Sequence, residues 1–354
     1  MKRIVLTGGG TAGHVTPNIA LLPALKEMGY DIQYIGSYEG IEKNLISDYS
    51  IPYHGISSGK LRRYFDVKNF TDPFRVLKGF SEANKLMKKL KPDIVFSKGG
   101  FVSVPVVIAA RKNKIPAILH ESDMTPGLAN KLCLSSAVKV CCNFPETVTF
   151  LPAGKAVLSG SPIRKELREG SRQKALKLCG FTADKPVILV MGGSLGAAAV
   201  NQAVRGVLPA LLKQYQVIHL CGKGKADSAY ANTAGYKQFE YIKDELKDLF
   251  ALSELVISRA GANAICELAA LKKPNILIPL PSKSSRGDQL LNARSFEKQG
   301  FSVVIEEEHL TDELLLSEIQ KLYEHRADYI SNMEKSQQTD AIKTITGLIA
   351  DYTK

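Results

Sequence analysis

The chain has 354 residues, 45% of them hydrophobic, and a net charge of +12 at pH 7. This length favours about two domains, and this apolar content suffices for buried cores. The sequence has no run of about 18 uncharged apolar residues and opens without a signal-peptide pattern, which argues against a membrane-spanning helix and against export. Its six cysteines show no C-x-x-C or histidine-paired spacing, so we expect buried thiols in a reducing compartment.

The positive charge is concentrated in the first half of the chain. Residues 1–163 contain 21 Lys and Arg against 12 Asp and Glu, whereas residues 164–354 contain 26 against 23. Such an excess suits nucleic acid, an anionic substrate or a membrane surface. We do not expect nucleic acid, because the basic residues lie beside aromatic ones and no helix-turn-helix or other nucleic-acid motif is present.

Residues 1–14 predict a strand, a glycine turn and the start of a helix. Residues 3–7 are apolar and partly β-branched, as in a buried strand, and Gly8, Gly9 and Gly10 let the backbone turn sharply. A helix opening at residue 11 would direct backbone N–H groups and its positive dipole end to one point. The stretch therefore predicts an anion site, with His14 beside it as a proton-transfer group.

Two other interpretations of this stretch stay open. The spacing Gly8-x-Gly10-x-x-Gly13 matches a dinucleotide-binding fingerprint, but the acidic residue that should end the second strand is absent. The other interpretation is a plain glycine turn followed by a surface histidine. A histidine directly after the last glycine favours group transfer over dinucleotide binding.

The rest of the first half alternates strand and helix patterns, which predicts an α/β fold with a parallel sheet. Ligands bind outside the carboxyl ends of such strands, so we expect the turns after three of them to line one crevice. Loop capping is the alternative role for the two acidic residues among them. The crevice residues are His14, Gly99, Gly100, His120, Glu121 and Asp123. The predicted strands are residues 3–7, 31–35, 53–56, 94–97, 117–120, 138–141 and 156–158.

Residues 60–91 interrupt this alternation with ten Lys and Arg interleaved with aromatic residues. We expect a helix that starts at Pro73 and carries Phe74, Leu77 and Phe80 at helical spacing. Bulky apolar groups beside basic ones suit contact with an anionic membrane surface. The alternative is a core-facing aromatic stripe with a solvated basic face.

The second half repeats the alternation after a Gly- and Pro-containing linker at residues 159–163. A glycine turn at residues 192–196 repeats the opening strand–glycine–helix unit, so we predict two doubly wound domains in tandem. The predicted strands are residues 187–191, 217–220, 239–242, 255–258 and 275–278, and the predicted helices are residues 197–212 and 262–270, one beginning at 287 and a last one over about 336–352.

Seven motifs together resemble the MurG family of N-acetylglucosaminyltransferases over nearly the whole chain. They are GGGTAGH (8–14), SKGGFVS (97–103), HESDMTPGLANK (120–131), GSPIR (160–164), GGSLGA (192–197), RAGANAICE (259–267) and DQLLNA (288–293). The resemblance implies a GT-B fold, with two Rossmann-like doubly wound parallel-sheet domains facing a cleft. It also implies an acceptor and membrane-associated domain of residues 1–161 plus 336–354, whose last helix crosses back, and a UDP-GlcNAc donor domain of residues 162–335.

The same resemblance implies an inverting transfer of GlcNAc from UDP-GlcNAc to the C4 hydroxyl of MurNAc in lipid I (undecaprenyl-pyrophosphoryl-MurNAc-pentapeptide), giving lipid II. The implied partners are the sugar nucleotide, the lipid-linked acceptor and an anionic membrane surface. The implied location is peripheral, on the cytoplasmic face of the cell membrane. This role belongs to peptidoglycan synthesis and so to cell wall biogenesis, cell shape, cell division and the cell cycle, and it implies neither a cofactor nor nucleic acid.

Family roles carry over to individual positions. Arg164 and Ser194 match contacts to the donor diphosphate, and Ile242 matches a backbone contact to the uracil. Glu267 matches a ribose contact and Gln289 a contact to GlcNAc. The donor loop and helix match at Ala262, Asn263, Ala264, Ile265, Cys266 and Glu267, and the first-domain loop that faces the sugar and the acceptor phosphate matches at Thr11, Ala12 and Gly13.

The sequence departs from the family pattern at two positions. Ala12 stands where many members have Gly. Asp123 stands where many members have Asn, which removes a hydrogen-bond donor from its contact in the donor site.

Inversion requires a base on the acceptor hydroxyl and stabilisation of the departing UDP. His14 is our candidate base, because a helix N-terminus keeps an imidazole neutral, and Glu121 is the competing candidate. The chain contains no Asp-x-Asp, the metal-binding pair of the other glycosyltransferase fold. We therefore expect helix N-termini, Arg164 and Ser194 to stabilise UDP without a divalent metal.

Two other classes of function fit parts of this pattern. Another GT-B protein, either a UDP-GlcNAc 2-epimerase or a glycolipid glycosyltransferase, would share the donor site. A non-catalytic nucleotide-sugar sensor or a nucleic-acid-binding module would bind without turnover. Formation of UDP-ManNAc from UDP-GlcNAc alone would identify the epimerase.

Overall fold

The computed structural model describes residues 1–59, 68–193, 196–283, 287–336 and 340–353, with side chains from residue 75 onward in the second range. The chain divides into two compact units. Unit 1 comprises residues 1–164 and 338–354, and unit 2 comprises residues 165–337.

Unit 1 is built on a seven-stranded parallel sheet in the order β3-β2-β1-β4-β5-β6-β7. All seven predicted strands are present, with ends that differ by at most two residues. The strand order reverses between β1 and β4, which makes the carboxyl ends of these two strands the switch point of the sheet. The strands are β1 (Arg3–Thr7), β2 (Asp31–Ser37), β3 (Tyr53–Ile56), β4 (Ile94–Ser97), β5 (Ala117–Glu121), β6 (Lys139–Cys142) and β7 (Ala156–Leu158).

Helices cover both faces of this sheet because side chains alternate along each strand. Ile4 and Leu6 of β1 face a core that includes the first and the last helix of the chain, whereas Val5 faces the opposite core. The helices are α1 (Thr16–Glu27), α2 (Ile41–Ser47), α3 (Lys68–Leu90), α4 (Ser103–Lys112), α5 (Leu128–Cys133) and the C-terminal helix (Ala341–Tyr352). Short 3₁₀ turns occur at Ala12–His14, Leu134–Ser136 and Pro145–Phe150.

The C-terminal helix packs against α1 and belongs to unit 1. Its Ile345 and Ile349 are fully buried, and just beyond it the Thr353 hydroxyl pairs with the Tyr30 hydroxyl at 2.9 Å. The single helix expected over about 336–352 is wrong at its start. The helix begins at Ala341, where the Asp340 carboxylate accepts from the Lys343 N–H at 3.3 Å and caps it.

Unit 2 has a six-stranded parallel sheet in the order β10-β9-β8-β11-β12-β13. Its strands are β8 (Val187–Met191), β9 (Gln216–Leu220), β10 (Tyr236–Phe239), β11 (Leu255–Ser258), β12 (Asn275–Leu277) and β13 (Ser302–Val304). Its helices are α6 (Arg172–Cys179), α7 (Ala198–Leu211), α8 (Leu246–Leu252), α9 (Ala262–Ala270), α10 (Asp288–Lys298), α11 (Asp312–Glu324) and α12 (Arg326–Lys335), with 3₁₀ turns at Lys165–Arg168, Ser228–Tyr230 and Glu307–His309.

Two expectations for unit 2 fail. The strand expected over 239–242 lies three residues earlier, because Tyr236 is the residue that is buried and pairs with Val217 in β9. This shift leaves Ile242 in the loop after β10. Strand β13, which completes the sheet beside β12, was not predicted.

The basic segment partly follows the alternative interpretation. Helix α3 begins at Lys68, five residues before the expected start at Pro73. Phe80 is half-buried, packs against the core and lies under the Lys112 ammonium, as the alternative interpretation predicts. Leu77 is 65% exposed. Residues 60–67 and the side chains of Phe70 and Phe74 lie outside the described residues.

All six cysteines are buried free thiols, as expected. In the part of the chain that the structure describes, no helix combines the length and the apolar character needed to cross a bilayer.

The glycine turns after β1 and β4 touch through their backbones. The Gly9 N–H donates to the Gly99 carbonyl at 3.3 Å. Gly100 has a φ of +84° and lies directly on the Gly9 carbonyl, with which a Cβ at this position would overlap. Only glycine therefore fits at position 100.

A buried chain of polar groups joins β4, β5 and the segment before unit 2. Lys98 and His120 are buried, and the Lys98 ammonium lies 2.8 Å from His120 Nδ1. His120 Nε2 lies 3.0 Å from the Gly160 carbonyl, which can only accept, so Nε2 carries the hydrogen and Nδ1 accepts from Lys98. Burial, with the nearby Lys98 charge, holds the pKa of His120 well below its usual value, and the ring is neutral.

The contact at Gly100 predicts a large stability loss on Gly100→Ala. The variant should lower the free energy of unfolding by about 3 kcal/mol or more, from the strained φ and the overlap together. Gly154→Ala is the matched control, since Gly154 has a φ of +76° and open space around it, and it should cost about 1 kcal/mol. Urea unfolding measures both, and equal losses would contradict the contact.

The neutral His120 predicts that acid lowers the stability of unit 1. Below about pH 6.5, His120 binds a proton in the unfolded chain but stays neutral in the folded one. This difference lowers the free energy of unfolding by up to about 1.4 kcal/mol per pH unit. The free energy of unfolding should therefore fall less steeply between pH 7 and 5 in His120→Gln than in the wild type. A wild-type slope in His120→Gln would overturn this assignment.

Candidate active site

In unit 1, two N–H groups of the first glycine turn are hydrogen-bonded to other residues of the same unit. The Gly9 N–H is bound by Gly99, and the Gly10 N–H donates to Glu42 Oε2 at 3.1 Å. The N–H groups of Gly9 and Gly10 are therefore not the ones that an anion would meet. The N–H groups of Thr11 and Ala12 follow, and they have no partner among the described residues. Thr11 is exposed and Ala12 and Gly13 are half-buried, so this part of the loop is open to a ligand.

His14 ends a 3₁₀ turn that precedes α1, which starts only at Thr16. Its ring is half-buried, with Nδ1 3.0 Å from the Gly9 carbonyl and 3.1 Å from the Thr11 hydroxyl. Because the carbonyl can only accept, Nδ1 carries the hydrogen. In the neutral ring, Nε2 is then the basic nitrogen.

The buried Glu121 organises the loop after β5. Its Oε1 accepts from the N–H groups of Ser122 (2.9 Å) and Asp123 (3.1 Å), and its Oε2 accepts from the Gly127 N–H (2.9 Å) and the Asn130 amide (2.8 Å). Burial raises the pKa of Glu121 against these hydrogen bonds, which lower it. The carboxylate thus has the capping role that the sequence analysis kept as an alternative.

The other expected crevice residues of unit 1 differ in their access. His120 is fully buried, so the expectation that it lines a crevice is wrong. Asp123 is half-buried in the loop that Glu121 holds. Lys98 has no role in the sequence analysis, although its position inside the SKGGFVS motif directly before Gly99 places it beneath the turn.

In unit 2, the glycine turn after β8 is held by its neighbours. Gly192 lies against the Ala197 N–H, and Gly196, with a φ of +67°, lies on the Cys221 carbonyl after β9. Ser194 lies outside the described residues.

Helix α9 follows β11 and presents its two faces differently. Its Ala262, Ile265 and Cys266 are buried, so Ile265 and Cys266 can offer only their backbone to a ligand. Asn263, Ala264 and Glu267 are half-buried on the other face. The start of this nine-residue helix and the Glu267 carboxylate therefore carry groups of the kind that suit an anion and sugar hydroxyls.

The loop after β12 is fixed by two side chains. Arg259 donates to the carbonyls of Ile278 (3.0 Å) and Pro279 (3.2 Å) and forms an ion pair with Glu307. Gln289 Oε1 accepts from the Leu280 N–H at 3.1 Å, so its NH₂ group is what it offers to a ligand. Arg259 belongs to the RAGANAICE motif, but no role was predicted for its side chain.

Arg164 lies at the end of unit 1. Its side chain is half-buried, and its buried Nε has no partner among the residues that the structure describes. A buried guanidinium N–H of this kind suits an oxygen ligand. Ile242 is half-buried beside Tyr241, which is 66% exposed. Across the described ranges, no three His, Cys, Asp or Glu side chains are grouped to hold a metal ion.

Comparison with known proteins gives a consistent result. The glycosyltransferase family 28 N-terminal domain matches residues 4–142, and the family 28 C-terminal domain matches residues 187–345. The chain is 66% identical, over the full length of both, to a protein of Lachnospira eligens named UDP-N-acetylglucosamine--N-acetylmuramyl-(pentapeptide) pyrophosphoryl-undecaprenol N-acetylglucosamine transferase. It is 59% identical, again over both full lengths, to a Clostridium botulinum protein of the same name.

A solved structure agrees with these matches. The crystal structure of Acinetobacter baumannii MurG has a TM-score of 0.79 and 28% identity to this chain, and the alignment covers 99% of this chain and 100% of that one. The two parallel-sheet units thus have the predicted GT-B class of fold. The chain belongs to glycosyltransferase family 28 and, within it, to the MurG family.

Proposed function

We propose that the chain is an inverting glycosyltransferase that moves GlcNAc from UDP-GlcNAc to the C4 hydroxyl of MurNAc in lipid I, forming lipid II for peptidoglycan synthesis. The observation that carries this proposal is the full-length identity of 66% to a protein named for this transfer. The identity extends over all 354 residues, so it includes both the donor-side and the acceptor-side motifs of this chain.

Unit 2 holds the donor in this proposal. The leading N–H groups of α9 bind the diphosphate, and the Glu267 carboxylate accepts from the two ribose hydroxyls. The free NH₂ group of Gln289 donates to a GlcNAc hydroxyl, because its oxygen is engaged by Leu280. The Ile242 backbone contacts the uracil. The Ser194 contact to the diphosphate is taken from the motif alone.

Arg164 supplies the positive charge for the leaving group. Its buried Nε–H suits a diphosphate oxygen, and a guanidinium binds such oxygens with two parallel hydrogen bonds. Its role is to stabilise the negative charge that develops on the departing UDP.

Unit 1 acts on the acceptor. His14 Nε2 takes the proton of the C4 hydroxyl while O4 forms a bond to the anomeric carbon. The bond from that carbon to the UDP oxygen breaks, and its electron pair leaves with the diphosphate. The N–H groups of Thr11 and Ala12 face the acceptor phosphate. We assign the proton transfer to His14 because both oxygens of Glu121 are engaged by the loop after β5.

The solvent face of α3 supports contact with an anionic membrane. Leu77 is 65% exposed, with the exposed Arg75 and Lys78 beside it in the chain. Further exposed basic residues follow along the helix at Lys85, Lys88 and Lys89. An exposed leucine beside basic side chains suits insertion at the headgroup level. A lipid-linked acceptor requires contact with a membrane, and the proposed location is the cytoplasmic face of the cell membrane.

Transfer of radiolabel from UDP-GlcNAc to a lipid I analogue tests the function. We expect His14→Ala to lower kcat by about a hundredfold or more and to leave the Kd for UDP-GlcNAc within about twofold, since general base catalysis contributes this much. Transfer should persist in EDTA. A variant that loses donor affinity but keeps kcat would move the base elsewhere.

The same assay separates the alternatives. Incubation with UDP-GlcNAc alone should give no UDP-ManNAc, which a 2-epimerase would form. Tight binding of UDP-GlcNAc without transfer to any lipid acceptor would indicate a sensor, and label on a glycolipid other than lipid I would indicate a different transferase.

Sedimentation with anionic vesicles tests the membrane surface. Leu77→Ser should weaken vesicle binding about tenfold, since burial of a leucine side chain contributes about 1.5–3 kcal/mol. Phe150→Ser is the control, because Phe150 is 53% exposed in unit 1 but lies outside α3. Equal binding by Leu77→Ser and the wild type would exclude α3 as the contact.

A further inference from the structure

The carboxylate of Glu42 is buried beside the first glycine turn. Its Oε1 accepts from the Ser37 N–H at 2.9 Å and from the Ser37 hydroxyl at 2.5 Å, and its Oε2 accepts from the Gly10 N–H at 3.1 Å. Glu42 is 0% exposed, and a Cβ at Gly9, Gly36 or Gly40 would overlap its side chain. Three glycines thus make room for a carboxylate whose role the sequence analysis did not identify.

One peptide group joins this carboxylate to His14. The N–H of the Gly9–Gly10 peptide donates to Glu42, and the C=O of the same peptide accepts from His14 Nδ1 at 3.0 Å. The peptide group is planar and polar, so a negative charge at its N–H end increases the acceptor strength of its oxygen. Hydrogen bonds in series polarise one another in this way.

We propose that Glu42 is a positioning residue for His14. Acting through the Gly9–Gly10 peptide, it keeps the hydrogen on Nδ1 and makes Nε2 more basic. This inference rests on the proposed function, in which Nε2 takes the proton of the acceptor hydroxyl. The arrangement resembles a carboxylate–histidine pair with a peptide group inserted between the partners.

The other ionisable groups around Glu42 do not replace it. Tyr34 and Tyr53 lie beside it, and burial, with a smaller contribution from the Glu42 charge, raises the pKa of both hydroxyls, which stay neutral. Tyr34 donates to the Gly8 carbonyl at 2.7 Å. Lys98 passes beneath Gly8, but its ammonium contacts His120 and the Ser122 hydroxyl.

A glutamine cannot make the same contacts. Each Glu42 oxygen faces a backbone N–H, one from Gly10 and one from Ser37. The NH₂ group of Gln would face one of these donors, so one contact is lost together with the charge. Glu42→Gln therefore keeps the volume of the side chain and removes what the proposal requires.

The pH dependence of kcat tests the proposal. In Glu42→Gln we expect kcat to fall about tenfold and the midpoint of its acid limb to move about half a pH unit lower, because the imidazolium loses a stabilising charge. The KM for UDP-GlcNAc should stay within about twofold. A merely structural role would lower kcat or the melting temperature and leave the acid limb in place, and that result would overturn the proposal.

Tyr30→Phe is the control for lost stability. It removes the buried hydrogen bond to Thr353 at 2.9 Å, on the side of the sheet where the strands begin. It should lower the melting temperature without moving the acid limb. A shift of the limb in this variant as well would show that instability, rather than Glu42, moves it.

Two NMR measurements do not depend on activity. The His14 imidazole, assigned by its loss in His14→Gln, should titrate at lower pH in Glu42→Gln than in the wild type. The second measurement needs only the wild type. Its Gly10 amide should exchange slowly with solvent, and its neutral His14 ring should carry the hydrogen on Nδ1. Fast Gly10 exchange or the opposite tautomer would refute the link even if the variant fails to fold. Absence of transfer by the wild type, with these NMR results intact, would instead refute the proposed function.

Discussion

The close contact between the glycine turns after β1 and β4 is the constraint on which unit 1 depends. Adjacent parallel strands end about 4.8 Å apart, so the two chains that leave them must pass each other at backbone distance. The Gly9–Gly99 hydrogen bond and the position of Gly100 on the Gly9 carbonyl meet this requirement. They also fix the Gly9–Gly10 peptide, which in turn orients His14. The geometry of the proposed base therefore follows from how the sheet closes at its switch point.

Unit 2 has the same strand–glycine–helix pattern but uses it differently. Its glycine turn packs on the carbonyl of Cys221, after β9, rather than on the turn that follows β11. Helix α9 then begins directly at Ala262, with no 3₁₀ turn before it. In unit 1 a 3₁₀ turn separates the glycine turn from α1, and Gly99 and Glu42 bind the N–H groups of Gly9 and Gly10. The glycine turn of unit 1 is therefore suited to hold His14 in place, and the start of α9 in unit 2 is suited to bind a diphosphate.

Local patterns predicted most of the fold. Apolar runs identified both parallel sheets, and Asp340 shows why the last helix was misplaced, since its cap is a single side chain within a polar stretch. The strand was predicted at 239–242 because Phe239 and Ile242 are both apolar. The observed strand instead buries Tyr236, whose hydroxyl is hydrogen-bonded to His219, and no local pattern indicates that contact. β13 has only three residues, too few for a periodic pattern.

Site residues that belong to a local motif were predictable from the sequence. Contacts between residues far apart in the chain were not. The residues of α9 and Gln289 follow from their motifs, but the engagement of the Gln289 oxygen by Leu280 does not. Glu42 is 32 residues from Gly10 in the chain, and Lys98 is 22 residues from His120. No spacing rule relates such pairs, because the sheet order alone brings them together.

The burial of Glu42 is costly for stability, which is an argument for its role in the site. Removing a carboxylate from water is unfavourable unless hydrogen bonds compensate, and apolar residues of similar size fill such positions at lower cost. Gly9, Gly36 and Gly40 also forgo the side chains that would make the unfolded chain less flexible. The cores on the two faces of the sheet are complete without this carboxylate. Features that lower stability and contact a proposed catalytic group are typical of functional sites.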